Sequence, residues 1–331
     1  MIAFADWRNA EAIALEHLLP VLEAAHDGQE SRCWSFVRKF PTWRLRWRPD
    51  SHGLERLDRT LETLLADGLI EEWTPGIYEP EAAAFGGTAA MEIAHALFHH
   101  DSRHVLQHLA QPGTPGSAPP MLGRRELAVL LPSVAMRAAS MDWYEQGDVW
   151  AKVAEQRPAP HNFSASQRFA HAMHRLMTVD VGPASTVTSN DGPLAPLTGW
   201  IDAFAHAGRQ LANLNRRGQL QRGVRAVLAH HVIFHWNRLG LSREDQAVLA
   251  ALAKAEVMGT SGQRAVSASG ATPHDTTVAR VSSDTLPASA DHLRNALVDQ
   301  LIERGYIRTG RVEEAMRTVP RHAFVPHAPL E

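Results

Sequence analysis

The stretch from Gly76 through Pro80 to the Gly86-Gly87 pair, followed without a break by the apolar and histidine-rich run Thr88 to Asp101, divides this chain into two kinds of sequence. Pro80 cannot sit inside a helix, and paired glycines permit backbone angles and close approaches closed to other residues. The segment therefore reads as an extended arm, a tight turn and a helix opened by Thr88. Glu79 and Glu81 then lie on an irregular arm beside a helix start, where functional side chains often sit. A strand-to-helix connection whose glycines serve packing alone fits the same residues.

Ahead of the arm the pattern mixes helix and strand. Ile13, Leu15, Leu18, Leu19, Val21 and Leu22 recur at mostly helical spacing and predict an amphipathic helix over 9–26. Trp34 to Phe40 reads as a strand. Beyond Pro41-Thr42, the run Trp43-Arg-Leu-Arg-Trp-Arg48 alternates large apolar residues with arginine, so on a strand Trp43, Leu45 and Trp47 share one face and Arg44, Arg46 and Arg48 the other. Three cations on one face repel one another unless water or an anion covers them; a solvated strand with its aromatic side in the core accounts for the pattern equally well. Leu54 to Leu65 predicts a helix and Leu69 to Thr74 a strand.

From Thr88 the pattern is almost wholly helical, over 88–100, 102–110, 123–140, 145–156, 164–178, 198–215, 217–239 and 242–257. A Pro/Gly-rich connector at 111–120 and a looser one at 180–196 interrupt it. The expectation is an α+β fold, a small N-terminal sheet with a large, mostly helical remainder. Residues 258–288 are rich in Ser, Thr, Ala and Gly, too poor in large apolar side chains to offset the entropy of ordering, and read as an interdomain linker. The remaining 289–331 carry two amphipathic helices, 290–304 and 311–318, too little to bury an independent core. The domain expectation is thus 1–257, a linker over 258–288, and the opening fragment of a further domain over 289–331.

Several chemistries lose ground on the residues present. Cys33, the one cysteine, excludes an internal disulfide and a multi-cysteine zinc site and fits a reducing compartment. No glycine-rich phosphate loop, Gly-Lys-Ser/Thr motif, nucleophile elbow or Cys-x-x-Cys occurs. A formal net charge of −3 gives no global basic field toward nucleic acid or an anionic membrane. Met1 to Arg8 lacks the regions of a signal peptide and no stretch is apolar enough to span a bilayer, so the expected location is the cytoplasm. Among 19 histidines, His95 and His99 have the i, i+4 spacing that can pinch zinc. Ala96 stands where a zinc protease carries glutamate and no third ligand can be named, so no metal is expected. His230, His231 and His235 with Asn237 and Arg238 form a dense polar group in an otherwise apolar helix, either a hydrogen-bonded core network or a site.

Several of these stretches, taken in order, resemble one family. Phe36-Val-Arg-Lys-Phe40 with Trp43-Arg-Leu-Arg-Trp47, Gly76-Ile-Tyr-Glu-Pro-Glu81 with Phe85-Gly-Gly87, Leu97-Phe-His-His-Asp-Ser102, Gly123-Arg-Arg-Glu-Leu127, Met141 to Trp150 and His235-Trp-Asn-Arg-Leu-Gly240 are similar to the thiopeptide-type bacteriocin biosynthesis domain, the SpaB-like C-terminal domain of lantibiotic dehydratases. The likeness covers roughly 1–257. Leu293 to Ile307 with Arg311 to Pro326 resembles the opening helices of protein-L-isoaspartate O-methyltransferases, a pairing similar to FxLD-type methyltransferase systems. The part that binds S-adenosylmethionine would follow Glu331, so no cofactor is implied for this chain.

The resemblance implies an enzyme of lyase type that acts on a ribosomally made precursor peptide, removing glutamate from Ser or Thr side chains that a separate glutamyl-tRNA-dependent subunit has esterified. Arg44 and Arg46 match the family's strand arginines and would clamp glutamyl carboxylates. His235 matches the family's histidine region as acid or base, and Glu81, Tyr78 and Arg238 would line the substrate. The resemblance further implies a homodimer, as in many relatives, with no membrane and no direct nucleic acid partner. Eliminating relatives carry an arginine just before the aromatic-Gly-Gly, where this chain has Ala84. That departure keeps two other readings open, a non-catalytic module that recruits peptide for a methyltransferase and the cycloaddition that forms pyridine rings.

Overall fold

The computed structural model describes residues 1–24, 33–47, 51–110, 122–159, 167–182 and 184–259, with eight isolated positions between 295 and 317. It separates into two units, Met1–Ala268 and Ser269–Glu331.

In the first unit, β1 (Ile2–Phe4), β2 (Trp34–Lys39), β3 (Thr42–Trp47) and β4 (Ile70–Trp73) form one antiparallel sheet in the order β2-β3-β1-β4. The sequence pattern predicted the last three strands and missed β1, whose three residues are too few to display alternation. β1 nevertheless occupies the middle of the sheet, with Ile2 opposite both Trp43 and Trp73.

Residues directly opposite one another share a face. The register Trp34–Trp47, Phe36–Leu45, Arg38–Trp43 therefore gathers the aromatic side chains on one side of the sheet and leaves Arg44 and Arg46 on the other. Phe36 stacks on Trp43 at 4.9 Å and Phe4 meets the same ring edge-on at 5.6 Å. The core includes these rings together with Leu18 and Leu22 from the first helical segment and Leu57, Leu61 and Leu64 from α3 (Ser51–Ala66). Each such side chain contributes about 1.5–3 kcal/mol on burial. The first helical segment is itself divided, α1 (Ala10–Ile13), one π-helical turn over Ala14–Leu18, and α2 (Leu19–Ala24), in which Pro20 removes an N–H from the ladder.

The helical remainder comprises α4 (Thr88–Ala110), α5 (Arg124–Ala138), α6 (Trp143–Gln156), α7 (Gln167–Thr178), α8 (Thr198–Arg216), α9 (Val224–Leu239) and α10 (Arg243–Met258). Where two helices were expected over 88–110 there is one, because Asp101 and Ser102 are not a boundary but buried polar residues in mid-helix. α9 begins seven residues later than 217, since Gly218 is left-handed (φ +68°) and 217–223 turn back toward the arm. Asp142 and Glu145 form a reciprocal capping box at the start of α6, and Ser242 caps α10.

Helix α4 also covers the open edge of β2: Ser102 Oγ accepts from the Phe36 amide at 3.1 Å, and His99 Nδ1 lies 3.0 Å from the Trp34 carbonyl oxygen. A covered edge cannot template a further strand. Arg48 and most of the expected linker and C-terminal fragment lie outside the described residues. In the second unit Asn295, Val298, Asp299, Ile302, Gly310, Glu313, Glu314 and Arg317 are helical, and Arg317 pairs with Asp299 (2.5 Å) and Glu313 (3.0 Å). Among the described residues no helix is long and apolar enough to cross a membrane.

Candidate functional site

The arm leaves β4 with the Thr74 amide bonded to the Met1 carbonyl (2.9 Å) and closes in a turn over Ala82–Gly86. Gly86 and Gly87 have φ of +93° and +105°, and a Cβ on either would fall 2.7 Å from Leu220 Cδ2 or 2.8 Å from Gln221 Cδ. The glycines are thus required twice over, by backbone angle and by close approach to the α8–α9 turn. That turn grips the arm: the Gln221 amide donates to the Gly86 carbonyl (2.9 Å) and Arg222 Nη1 to the Ala84 carbonyl (2.6 Å). Phe85, fully buried, is ringed by Phe98, His230, His231 and Phe234 at centroid distances of 4.8–5.2 Å.

Held in this way, the arm lies over the cationic face of the sheet. The Arg46 guanidinium sits 4.5 Å from the Tyr78 ring centroid, a cation–π contact, and Tyr78 Oη is 3.0 Å from His95 Nε2 of α4. Glu81 Oε2 lies 3.3 Å from His230 Nε2 of α9. On α9, Phe234 and Arg238 follow His230 at successive i+4 steps and so share its face. The Arg238 guanidinium is 4.1 Å from the Phe98 ring centroid.

One layer beneath runs a buried network. Asp101 accepts from Trp200 Nε1 (2.9 Å) and Arg238 Nη1 (3.2 Å), and His235 Nδ1 lies 2.9 Å from the same carboxylate. Asp101, His235 and Arg238 are each no more than 1% exposed. Burial pushes the Asp101 carboxyl up, but His235 and Arg238 outweigh it and hold the group below its ordinary range. Burial likewise lowers Arg238, to about 10, against the attraction of Asp101, with Arg46 lowering it further. His231 is lowered to about 3 by burial, then by Arg238 and His230. Burial raises Tyr78, against the nearby Arg46 guanidinium.

Among the described residues, Arg44 Nε, Arg46 Nη1, and Arg238 Nε and Nη2 are buried without hydrogen-bond partners. Arg238 is drawn by Asp101 and Arg46 by Glu81, while Arg44 acts on Arg46 and on the Met1 amino group, so the cluster carries net positive charge before the histidines are counted. Such a cluster suits a monoanion, and a carboxylate matches the planar fork of arginine.

Four of the six residues singled out from sequence, Arg44, Arg46, Tyr78 and Glu81, thus come together on one face, and Arg238 reaches Arg46 and Tyr78 from the buried network. His235 lies beneath them, its Nδ1 on Asp101, its ring among Trp200 and Phe204, and its Nε2 without a hydrogen-bond partner among the described residues. His95 and His230 were noticed only as members of histidine clusters, and Asp101 only as part of a motif. What brings them to the site is contact with the arm and with α9, which helical spacing does not reveal. His95 and His99, one turn apart, serve separate partners, Tyr78 and the Trp34 carbonyl. Among the described residues no group of three His, Cys, Asp or Glu side chains is placed to hold a metal ion.

Fold and site together define an α+β protein whose short antiparallel sheet turns a cationic face, met by Tyr78 of the arm, toward a helix-borne Asp-His-Arg network. The model of the lantibiotic biosynthesis dehydratase C-terminal family matches residues 2–257, and the chain belongs to that family. Its fold is similar to the crystal structure of the tRNA-dependent lantibiotic dehydratase MibB from Microbispora sp. 107891, with a TM-score of 0.56 at 17% identity over 77% of this chain and 27% of the MibB chain. The chain therefore spans little more than a quarter of that relative's length. No curated protein matches it.

Proposed function

We propose that this chain removes glutamate from glutamylated Ser or Thr side chains of a ribosomally made precursor peptide, leaving dehydroamino acids, with a separate tRNA-dependent subunit supplying the glutamyl ester. The observation that carries this reading is the set of unpartnered guanidinium N–H groups of Arg46 and Arg238, both acting on Tyr78, with that of Arg44 beside Arg46 on the same strand face. Buried donors are normally paired, so this cluster of unpaired ones suits an anionic ligand. A glutamyl carboxylate supplies the missing acceptors and the missing negative charge. Membership of the lantibiotic dehydratase C-terminal family and the likeness to a tRNA-dependent dehydratase support the same reading.

In this reading Arg44, Arg46 and Arg238 hold the departing carboxylate, while Tyr78 and Glu81 border the reacting bond. His235 acts as a positioning residue, fixing Asp101 and through it Arg238. The reaction needs no cofactor from this chain. Intact-peptide mass spectrometry with a synthetic peptide bearing a glutamylated Ser tests it: the native chain should yield the dehydrated peptide, while Arg44→Ala and Arg46→Ala should not, with unchanged circular dichroism. Normal processing by both variants would reduce the arginine face to a solvated surface.

The alternative is a recruiting module for a methyltransferase. It draws on Ala84, whose carbonyl is occupied by Arg222, and on the helical positions within 295–317 of the methyltransferase-like tail. Peptide binding without a change of mass would favour it.

A further inference from the structure

Elimination requires a group beside the carboxylate clamp that can take the Cα proton. Two titratable pairs border the arginines, Tyr78 with His95 and Glu81 with His230. Glu81 acts on Arg46, but it is half exposed, and the other charges that act on its partner His230 are those of Arg222 and Arg157, which lie outside the clamp. Tyr78 instead lies under the Arg46 guanidinium and feels Arg238 as well. Its ring lies against the clamp and its hydroxyl is bonded to a second titratable ring. His95 is only partly buried, on the first turns of α4, so a proton reaching it has a way out to water.

Resting on the elimination reading above, we infer that Tyr78 and His95 form a proton relay. Tyr78 Oη takes the Cα proton of the glutamylated residue as its own proton passes to His95 Nε2. The C–H electron pair becomes the Cα=Cβ bond, the Cβ–O bond breaks, and glutamate leaves as a carboxylate onto Arg44, Arg46 and Arg238. His95 then gives the proton to water. Burial holds the phenol in its neutral form, so Oη can accept a proton only as it loses one, and the 3.0 Å bond to an imidazole nitrogen provides for that.

The competing explanation is that the Tyr78–His95 bond only pins the arm to α4. Single-turnover elimination from the glutamylated synthetic peptide, with affinity for the same peptide measured by fluorescence anisotropy, separates the two. Tyr78→Phe deletes one hydroxyl. His95→Gln keeps a hydrogen-bonding group near Nε2 but cannot take up a proton at neutral pH. Both variants should lose about a hundredfold or more in elimination rate while still binding peptide. Native rates in either variant would overturn the relay, as would a loss of affinity parallel to the loss of rate, which marks an anchor. If the native chain itself releases no glutamate, the elimination reading falls and the relay with it, a result distinct from an active native chain with active variants.

Discussion

At the scale of single residues, the site is held by charges that the helices have taken out of water. Removing one partner from a buried ionic network typically costs about 3–5 kcal/mol, because the other charge stays buried without compensation. Asp101 is protected against that cost by three donors from two other helices. His231 is the opposite case: it is buried, neither ring nitrogen has a hydrogen-bond partner among the described residues, and burial lowers its pKa to about 3. The unfolded chain takes up a proton at this residue below about pH 6.5, whereas the folded chain refuses it until about pH 3. Stability is therefore fully present above pH 6.5 and is lost as pH falls through that window, by about 2 kcal/mol at pH 5. His231→Leu should remove this dependence, so that urea midpoints of variant and native chain diverge at pH 5 and approach one another at pH 8. Equal pH dependence in both would show that another group dominates.

At the scale of elements, the arm owes its course to the α8–α9 turn more than to its own residues. Gly86→Ala places a methyl group against Leu220 and Val227 at a φ of +93°. It should cost about 1–3 kcal/mol and shift the arm, lowering processing of the glutamylated peptide together with stability. Gly218→Ala has a similarly positive φ but open space around the new methyl, and should cost only about 1 kcal/mol, with processing retained. Thermal melts of the two variants give the comparison. Equal costs would mean that close packing against the turn contributes nothing.

At the scale of the molecule, the described core residues of the first unit lie between Ile2 and Val257. A chain ending at Ala268 should accordingly unfold in one cooperative transition when followed by far-UV circular dichroism, and a broad, non-cooperative loss of signal would disprove its independence. Within this unit the sequence determined what is periodic and local. The alternation of β3 sorted Arg44 and Arg46 from Trp43 and Trp47, Pro80 with Gly86-Gly87 defined the arm and its turn, and the 3.6-residue rhythm outlined most helices. β1 stayed hidden because three residues carry no period, and Asp101 passed for a helix boundary because burial, not pattern, tells a core carboxylate from a surface one. The proximity of Tyr78 to Arg46, of His95 to Tyr78, and of Arg238 to Tyr78 and Arg46 was decided only by tertiary structure. Those contacts join residues from a strand, an arm and two helices, and no local rule of backbone geometry relates positions so far apart in the chain.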